Sequence, residues 1–386
     1  MTPEVTPEVT MENLLEVSDL EISLSADQGM VDIVRSISFT LAPGKTLALV
    51  GESGCGKSVT AASILRLLPR ELQITRGSIL FRAAGSDEAT DIAKLAPRGD
   101  AIRKLRGNEI AMIFQEPMSS FSPLYTIGNQ IGEVIRLHRK ASKKEAREMT
   151  ADMLDKVGIP DAGAAVDRYP HEYSGGMRQR AMIAKALSCD PALLIADEPT
   201  TALDVTIQAQ IVDLMKELQQ EFHMAIIFIT HDLGLVAQVS DDVCIMYAGR
   251  IVERGTVRDI FHDAKHPYAR DLLHAVPRLG NLEEELVAIE GNVPGVVRHA
   301  GGVSLPPPLR VVQSRHLRCQ ESHCDAARRH APRRVPPLWL ARSPPWRPSW
   351  RRPHHCWRSR TWPCTSRSAG AACSAARAAF SRRSTG

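Results

Sequence analysis

Apolar and polar positions change their spacing several times along this chain, and each change marks an element. From Leu14 to Leu24 apolar residues alternate with polar ones, and Ile33–Leu41 does so in part. That period of two is the pattern of half-buried, antiparallel strands. Thr46–Val50 is instead a short unbroken apolar run ending on Gly51, as expected of a strand buried on both faces. Val59–Leu68 after it is expected to be helical. Met118–Ser188 reads as mostly helical, most clearly at Ile127–His138 and Lys143–Val157. Ala192–Ala196 and Ala225–Thr230 are two further buried strands, with the amphipathic helix Val205–Phe222 between them. Strand, helix, strand implies a right-handed crossover and a parallel sheet. Val243–Tyr247 and Arg250–Glu253 fit a hairpin turning at Ala248-Gly249, and His266–Pro277 a last helix.

No apolar run approaches the roughly 18–20 residues that a membrane helix needs. The opening MTPEVTPEVT has neither the charged nor the apolar region of a signal peptide, so the protein is expected in the cytoplasm. Residues 1–12, with their tandem TPEV, are expected to form a disordered leader. Met11 is a second candidate start, because the first strand follows it at once. Cys55, Cys189 and Cys244, the cysteines of the main body, are too few and too scattered for a disulfide framework. The formal net charge of +4 hides a division. Residues 1–297 carry 30 basic and 42 acidic side chains, whereas residues 298–386 hold 18 Arg, no Lys, and only Glu321 and Asp325 as acids.

Three motifs carry chemistry. Gly51-Glu52-Ser53-Gly54-Cys55-Gly56-Lys57-Ser58 fits G-x-x-x-x-G-K-[ST], and it stands between an expected strand and an expected helix, as a phosphate-binding loop must. Its glycines let backbone N–H groups turn toward phosphate oxygens, and the helix N-terminus adds partial positive charge. Lys57 is expected to reach the β- and γ-phosphates, and Ser58 to hold Mg²⁺. The strand Leu193–Ala196 delivers Asp197 and Glu198 at its carboxyl end, where α/β sheets bind ligands. Asp197 is suited to organise Mg²⁺, directly or through water, and Glu198 to act as general base on an attacking water. Tyr173-Ser174-Gly175-Gly176-Met177-Arg178-Gln179-Arg180 opens a helix. Taken alone, that is an anion site or simply an ordinary N-cap formed by Ser174.

Taken in order, the phosphate loop, Gln115 after Phe114, the Ser-Gly-Gly segment, Asp197-Glu198, Ala202-Leu203-Asp204 and His231 resemble the nucleotide-binding domain of ABC transporters across about residues 13–260. The usual family signature reads Leu-Ser-Gly-Gly-Gln; here Tyr173 stands first and Met177 last. That variant is similar to the oligopeptide and dipeptide importer branch. So are Glu198-Pro199-Thr200-Thr201-Ala202-Leu203-Asp204-Val205-Thr206 and the stretch Lys265-His266-Pro267-Tyr268-Ala269-Arg270-Asp271-Leu272-Leu273.

The resemblance implies an α/β P-loop domain at residues 13–263, with an antiparallel β-subdomain and a helical subdomain at about 116–186. Residues 264–297 would form an importer-type extension. It also implies an ATPase that uses ATP and Mg²⁺. Gln115 would contact Mg²⁺ or the water and sense the membrane subunit, and His231 would clasp the γ-phosphate beside Glu198. Ser174, Gly175, Gly176 and Met177 would meet the ATP held by a second ATPase subunit, with Asp204 lining the dimer interface. Two membrane permease subunits, contacted near Gln115–Gln130, and a periplasmic solute-binding protein would complete an importer of peptides at the cytoplasmic face of the bacterial inner membrane. Nickel, glutathione or another small solute are alternative cargoes. A soluble ABC ATPase outside transport is the alternative role, but such proteins usually carry two nucleotide domains or large inserts, and this chain has one phosphate loop and one signature. One departure concerns adenine, which most members stack on an aromatic ahead of the phosphate loop. No aromatic precedes Phe39 here, which leaves apolar contact through Met30 or Val31.

The segment 298–386 holds all five Trp, five of the eight Cys and eleven of the 25 Pro. The spacing of Cys319, His323 and Cys324 fits no standard zinc pattern. Its Arg and Trp suggest a nucleic-acid arm, but no nucleic-acid partner is expected of an importer ATPase. Relatives in that branch continue instead into a Gly-Cys-x-Phe-x-x-Arg-Cys motif. Codons exist for RHAGGVSLPPPL, from Arg298 to Leu309, that spell DMPAGCRFHPRC when read one base later. A frameshifted, disordered tail is therefore expected.

Overall fold

The computed structural model describes residues 13–26, 29–83, 88–115, 120–201 and 204–275. Strand β1 (Leu15–Ala26) runs antiparallel to β2 (Gly29–Leu41), with Leu15 opposite Leu41. β3 (Thr46–Val50) follows and leads into helix α1 (Lys57–Ile64). β4 (Leu72–Arg82) pairs with the free side of β1, and β5 (Ala89–Asp91) with β4, giving a four-stranded sheet ordered β2-β1-β4-β5. α2 (Asp100–Leu105) and the short β6 (Ile110–Ile113) come next. The helical part contains α3 (Ile127–Arg139), α4 (Lys143–Lys156), the single turn α5 (Ala162–Ala165) and α6 (Gly175–Leu187). The chain then alternates through β7 (Leu193–Asp197), α7 (Val205–Phe222), β8 (Ala225–Thr230), α8 (Leu233–Val239) and β9 (Asp242–Tyr247). β10 (Arg250–Thr256), α9 (Val257–Asp263) and α10 (Pro267–His274) complete it.

The second sheet is ordered β10-β9-β3-β8-β7-β6 and is parallel except for the edge strand β10. Strand alternation divides its side chains between two layers. Leu47, Leu49, Ile195 and Ile227 face the antiparallel sheet, where Leu15, Ile22, Ile37, Phe39 and Phe81 cover them. From the other face, Leu194, Ala196, Ile226 and Phe228 pack with Ile211, Val212 and Met215 of α7 and with residues of α3, α4 and α6. Ala48, Val50, Val243 and Ile245 pack with α8, α9 and α10. Each of these large aliphatics, fully withdrawn from water, contributes about 1.5–3 kcal/mol.

Several elements differ from their sequence pattern. The helix expected at Val59–Leu68 ends at Ile64, because Arg66 adopts φ 53° and Pro69 lies just beyond. β4 is hidden in the sequence by Gly77, whose φ of +93° and close approach break its alternation; a Cβ there would lie 2.5 Å from the Asp19 carbonyl oxygen. The Ala248-Gly249 turn holds φ values of 47° and 82°, the two positive angles a tight hairpin requires. The last helix spans Pro267–His274, and the leader and residues 276–386 lie outside the described residues. Among the described residues no helix is long and apolar enough to cross a membrane.

Candidate active site

Three parallel strands end at one edge of the second sheet. Val50 of β3 pairs with Thr230 of β8, and Ile229 of β8 pairs with Asp197 of β7. The residues that follow, Gly51, His231 and Glu198, are therefore delivered side by side, at the carboxyl ends where open α/β sheets bind ligands.

The loop from Gly51 to Ser58 is shaped by its glycines. A Cβ on Gly51 would lie 2.2 Å from the Met246 carbonyl oxygen, so the loop begins flush against β9. Gly54 and Gly56 take φ of 83° and 106°, which only glycine adopts freely. Gly56 then precedes α1 directly, so the loop sits on a helix N-terminus and suits a bound phosphate. Lys57 is buried, and its Nζ donates to the carbonyls of Gly51 at 2.7 Å and Glu52 at 2.9 Å. Glu52 is half-buried, and Ser53 and Gly54 are exposed. The Cys55 thiol lies beneath, 3.8 Å from Lys57 Nζ, and burial raises its pKa.

Ser58 Oγ donates to Asp197 Oδ1 at 3.1 Å. Asp197 is buried, and that burial pushes its carboxyl above the usual carboxylate range against the opposing pull of the Ser58 bond; nearby Glu198 adds to the rise and Lys57 resists it. A hydroxyl and a carboxylate this close form a hard-oxygen donor set that fits Mg²⁺.

Glu198 holds the centre of a second cluster. Its Oε2 accepts from Gln115 Nε2 and from Thr201 Oγ1, each at 2.9 Å, and its Oε1 lies 3.4 Å from His231 Nδ1. Its backbone adopts φ 47°, an uncommon value for a residue other than glycine. The Glu198 N–H bond to Ile229 O holds that conformation in place. Sites that keep a strained residue are often functional ones.

The remaining candidates lie elsewhere. Ser174 caps α6 by accepting from the Met177 N–H, Ser174 and Gly175 are exposed, and Gly176 faces Ile207 at the start of α7. Met177 packs in part against the helical core. Asp204 caps α7, its Oδ1 accepting from the Thr206 and Ile207 N–H groups. These five residues form a neighbouring surface rather than part of the Glu198 cluster. Gln130, at the end of the stretch expected to touch a membrane partner, is a buried strut instead: its amide group bonds Ser122 N, Ser122 O and Tyr125 O. The tip that it supports exposes Leu124 and Tyr125. In the stretch where an adenine contact was expected, Met30 is half-exposed and Val31 partly buried.

The ABC transporter family model matches residues 34–201, and the model of the oligopeptide/dipeptide transporter C-terminal region matches residues 252–303. The dipeptide transport ATP-binding protein DppD of Bacillus subtilis is 50% identical over 299 residues, which is 77% of this chain and 85% of DppD. The chain belongs to the ABC transporter ATP-binding family. The glutathione import ATP-binding protein GsiA of Escherichia coli is 52% identical over 271 residues, covering 70% of this chain and 43% of GsiA. Among solved structures, the dimeric cassette MJ0796 bound to ADP and Pi aligns over 63% of this chain and 99% of its own, with a TM-score of 0.55 and 22% identity, a likeness of fold.

For an ABC ATPase, two side chains now stand out that motif reading passed over. Thr201 was visible only as a letter of the Glu198–Thr206 stretch; nothing in its spacing shows that its hydroxyl turns back onto Glu198. Gln179 of α6 is buried and donates to the carbonyl of Pro199, next to Glu198. It ties the signature helix to the turn that carries the carboxylate.

Proposed function

We propose that this chain is the ATP-hydrolysing subunit of a peptide importer, and that the residues of the site act as follows. The N–H groups of Gly51–Ser58 and the Lys57 ammonium hold the β- and γ-phosphates of ATP. Ser58 and Asp197 would hold Mg²⁺, joined by Gln115, and the ion would neutralise charge on the phosphate oxygens. Glu198 accepts a proton from the attacking water as the bond to the γ-phosphorus forms and the bond to the ADP oxygen breaks, leaving ADP and phosphate. Gln115 and Thr201 orient the carboxylate, and His231 reaches the γ-phosphate from beside it. The observation that carries this reading is the convergence of Gln115, Thr201 and His231 on the one carboxylate of Glu198, next to the Ser58–Asp197 pair.

The exposed Ser174-Gly175 turn and Asp204 face outward and leave the site to be completed by a second ATPase subunit, whose ATP the turn from Ser174 to Met177 meets. Closure of the pair around two ATP molecules, and its opening after hydrolysis, passes to two membrane permeases through the tip bearing Leu124 and Tyr125. The chain is then a peripheral protein of the inner membrane's cytoplasmic face, and a solute-binding protein delivers the cargo. The peptide class is supported by the match to the oligopeptide/dipeptide C-terminal region and by the names of DppD and GsiA; glutathione, in the latter name, is itself a tripeptide. The test is co-expression with the permease subunits of a peptide importer. Membrane fractionation should retain the chain only with them, and vesicles holding the complex should take up di- or oligopeptides when ATP is supplied. Uptake that is independent of ATP, or stable membrane binding of the isolated chain, contradicts the proposal.

A further inference from the structure

The motif Lys265–Leu273 has no part in the site described so far, yet it ends on the phosphate loop. Glu253 of β10 receives two backbone N–H groups, Lys265 N on Oε1 at 2.6 Å and His266 N on Oε2 at 2.9 Å. His266 then caps α10, its Nδ1 accepting from Tyr268 N at 3.2 Å, and Pro267 occupies the first helical turn, where a missing N–H costs nothing. Arg270 Nε closes the turn on Ala264 O at 2.7 Å. These bonds fix the first turn of α10, and Ala269, fully buried, lets it lie close to the sheet.

What that turn presents is Tyr268. Its ring is buried with Ala48, Val50 and Ile245, and it packs on Tyr247 with centroids 4.5 Å apart. Its hydroxyl oxygen accepts the N–H of Glu52 at 3.3 Å. The same peptide unit, Gly51–Glu52, offers its carbonyl oxygen to Lys57 Nζ at 2.7 Å. One rigid amide plane is thus held at both ends, by Tyr268 on its N–H and by Lys57 on its C=O. Rotation of that plane would break both bonds together, and hydrogen bonds in series polarise one another. Gly51 adds to the constraint, since its Cα lies against β9 with no room for a side chain.

We infer that Tyr268 is a positioning residue for Lys57: through the Gly51–Glu52 peptide it sets where the phosphate-binding ammonium stands, and so ties the C-terminal region to ATP affinity. The inference rests on the proposed ATPase reading. Lys57 serves bound ATP before and during the reaction, so its misplacement weakens binding more than turnover. A bond at the long end of the range sets the size of the effect at about two- to fivefold.

The experiment uses the full chain, with a fluorescent ATP analogue for affinity and phosphate release for turnover. Tyr268→Phe keeps the ring and removes the hydroxyl. It should raise Kd and the KM for ATP about two- to fivefold, hold kcat within about twofold, and lower the melting temperature by no more than about 2–4 °C. Tyr247→Phe, which removes the neighbouring hydroxyl from the same ring pair, should change neither constant. If the parent binds ATP and Tyr268→Phe binds it equally well, the inference falls and the ATPase reading stands. Equal losses of affinity and melting temperature in both Phe variants would also overturn it, as a general packing effect. If the parent does not bind ATP at all, both fall.

Discussion

Thr201→Val removes a hydroxyl from Glu198 while keeping the shape of the side chain. The Thr201 Oγ1–Glu198 Oε2 bond is 2.9 Å long and one of two donated to that oxygen. A hydrogen bond to a charged group contributes about 1.5–3 kcal/mol. Glu198 is not sealed from water, since its side chain keeps 18% of its exposure, so the lower figure applies. If this bond orients the carboxylate toward the attacking water, its loss costs about 1.5 kcal/mol in the transition state, or roughly tenfold in kcat. Binding of ATP does not use the bond, so KM should stay within about twofold. Steady-state phosphate release by the parent, Thr201→Val and Thr201→Ser separates the cases, because Ser restores the hydroxyl. Parental kcat in Thr201→Val refutes the orienting role, and so does an equal loss in Thr201→Ser.

Three further expectations follow from named atoms. Lys57→Ala should weaken nucleotide binding about 30-fold or more, the loss of charge-assisted bonds to phosphate, as measured by equilibrium titration. Burial holds the Asp197 proton more tightly in the folded chain than in the unfolded one; the stability of the neutral form is therefore full at acid pH and lost as pH rises through the raised folded value. Asp197→Asn keeps an acceptor for Ser58 without the charge, so it should melt about 2–4 °C higher than the parent near neutral pH, on the order of 1 kcal/mol, with the gain vanishing in acid, while Mg²⁺-dependent hydrolysis is lost. Scanning fluorimetry across pH checks this, and a lower melting temperature at neutral pH counts against it. For the tail, we propose a single-base shift near residues 296–298, supported by the change in composition there. Resequencing should give codons for Arg298–Leu309 that read DMPAGCRFHPRC one base later, and codons that do not would reject the shift.

The parts of the fold that the sequence shows are those whose pattern is local. Thr46–Val50 is apolar throughout because it is buried on both faces, and α7 keeps its spacing from Val205 to Phe222 because one side faces the core. β4 escapes notice because Gly77 and the bulges of β1 interrupt its period, and β6 because four residues are too few to show one. The site divides in the same way. Lys57, Ser58, Asp197 and Glu198 stand out in the sequence because the proposed phosphate and metal chemistry calls for certain residue types at certain spacings. Thr201 is legible only once a turn folds its hydroxyl back, and Tyr268 only once 216 residues of separation are closed by the sheet. That Gln130 braces the loop bearing Leu124 and Tyr125 is not legible either, because a glutamine has the same look in a sequence whether it meets a partner or holds a loop.

Glu198 bears the central claim, and Glu198→Gln tests it with almost no change of shape. Incubated with Mg²⁺ and ATP, the variant should bind ATP as the parent does, release phosphate at least about 100-fold more slowly, and accumulate as an ATP-bound dimer in size-exclusion chromatography with light scattering. Phosphate release at the parental rate from the Gln variant would contradict the assignment of Glu198 as the general base.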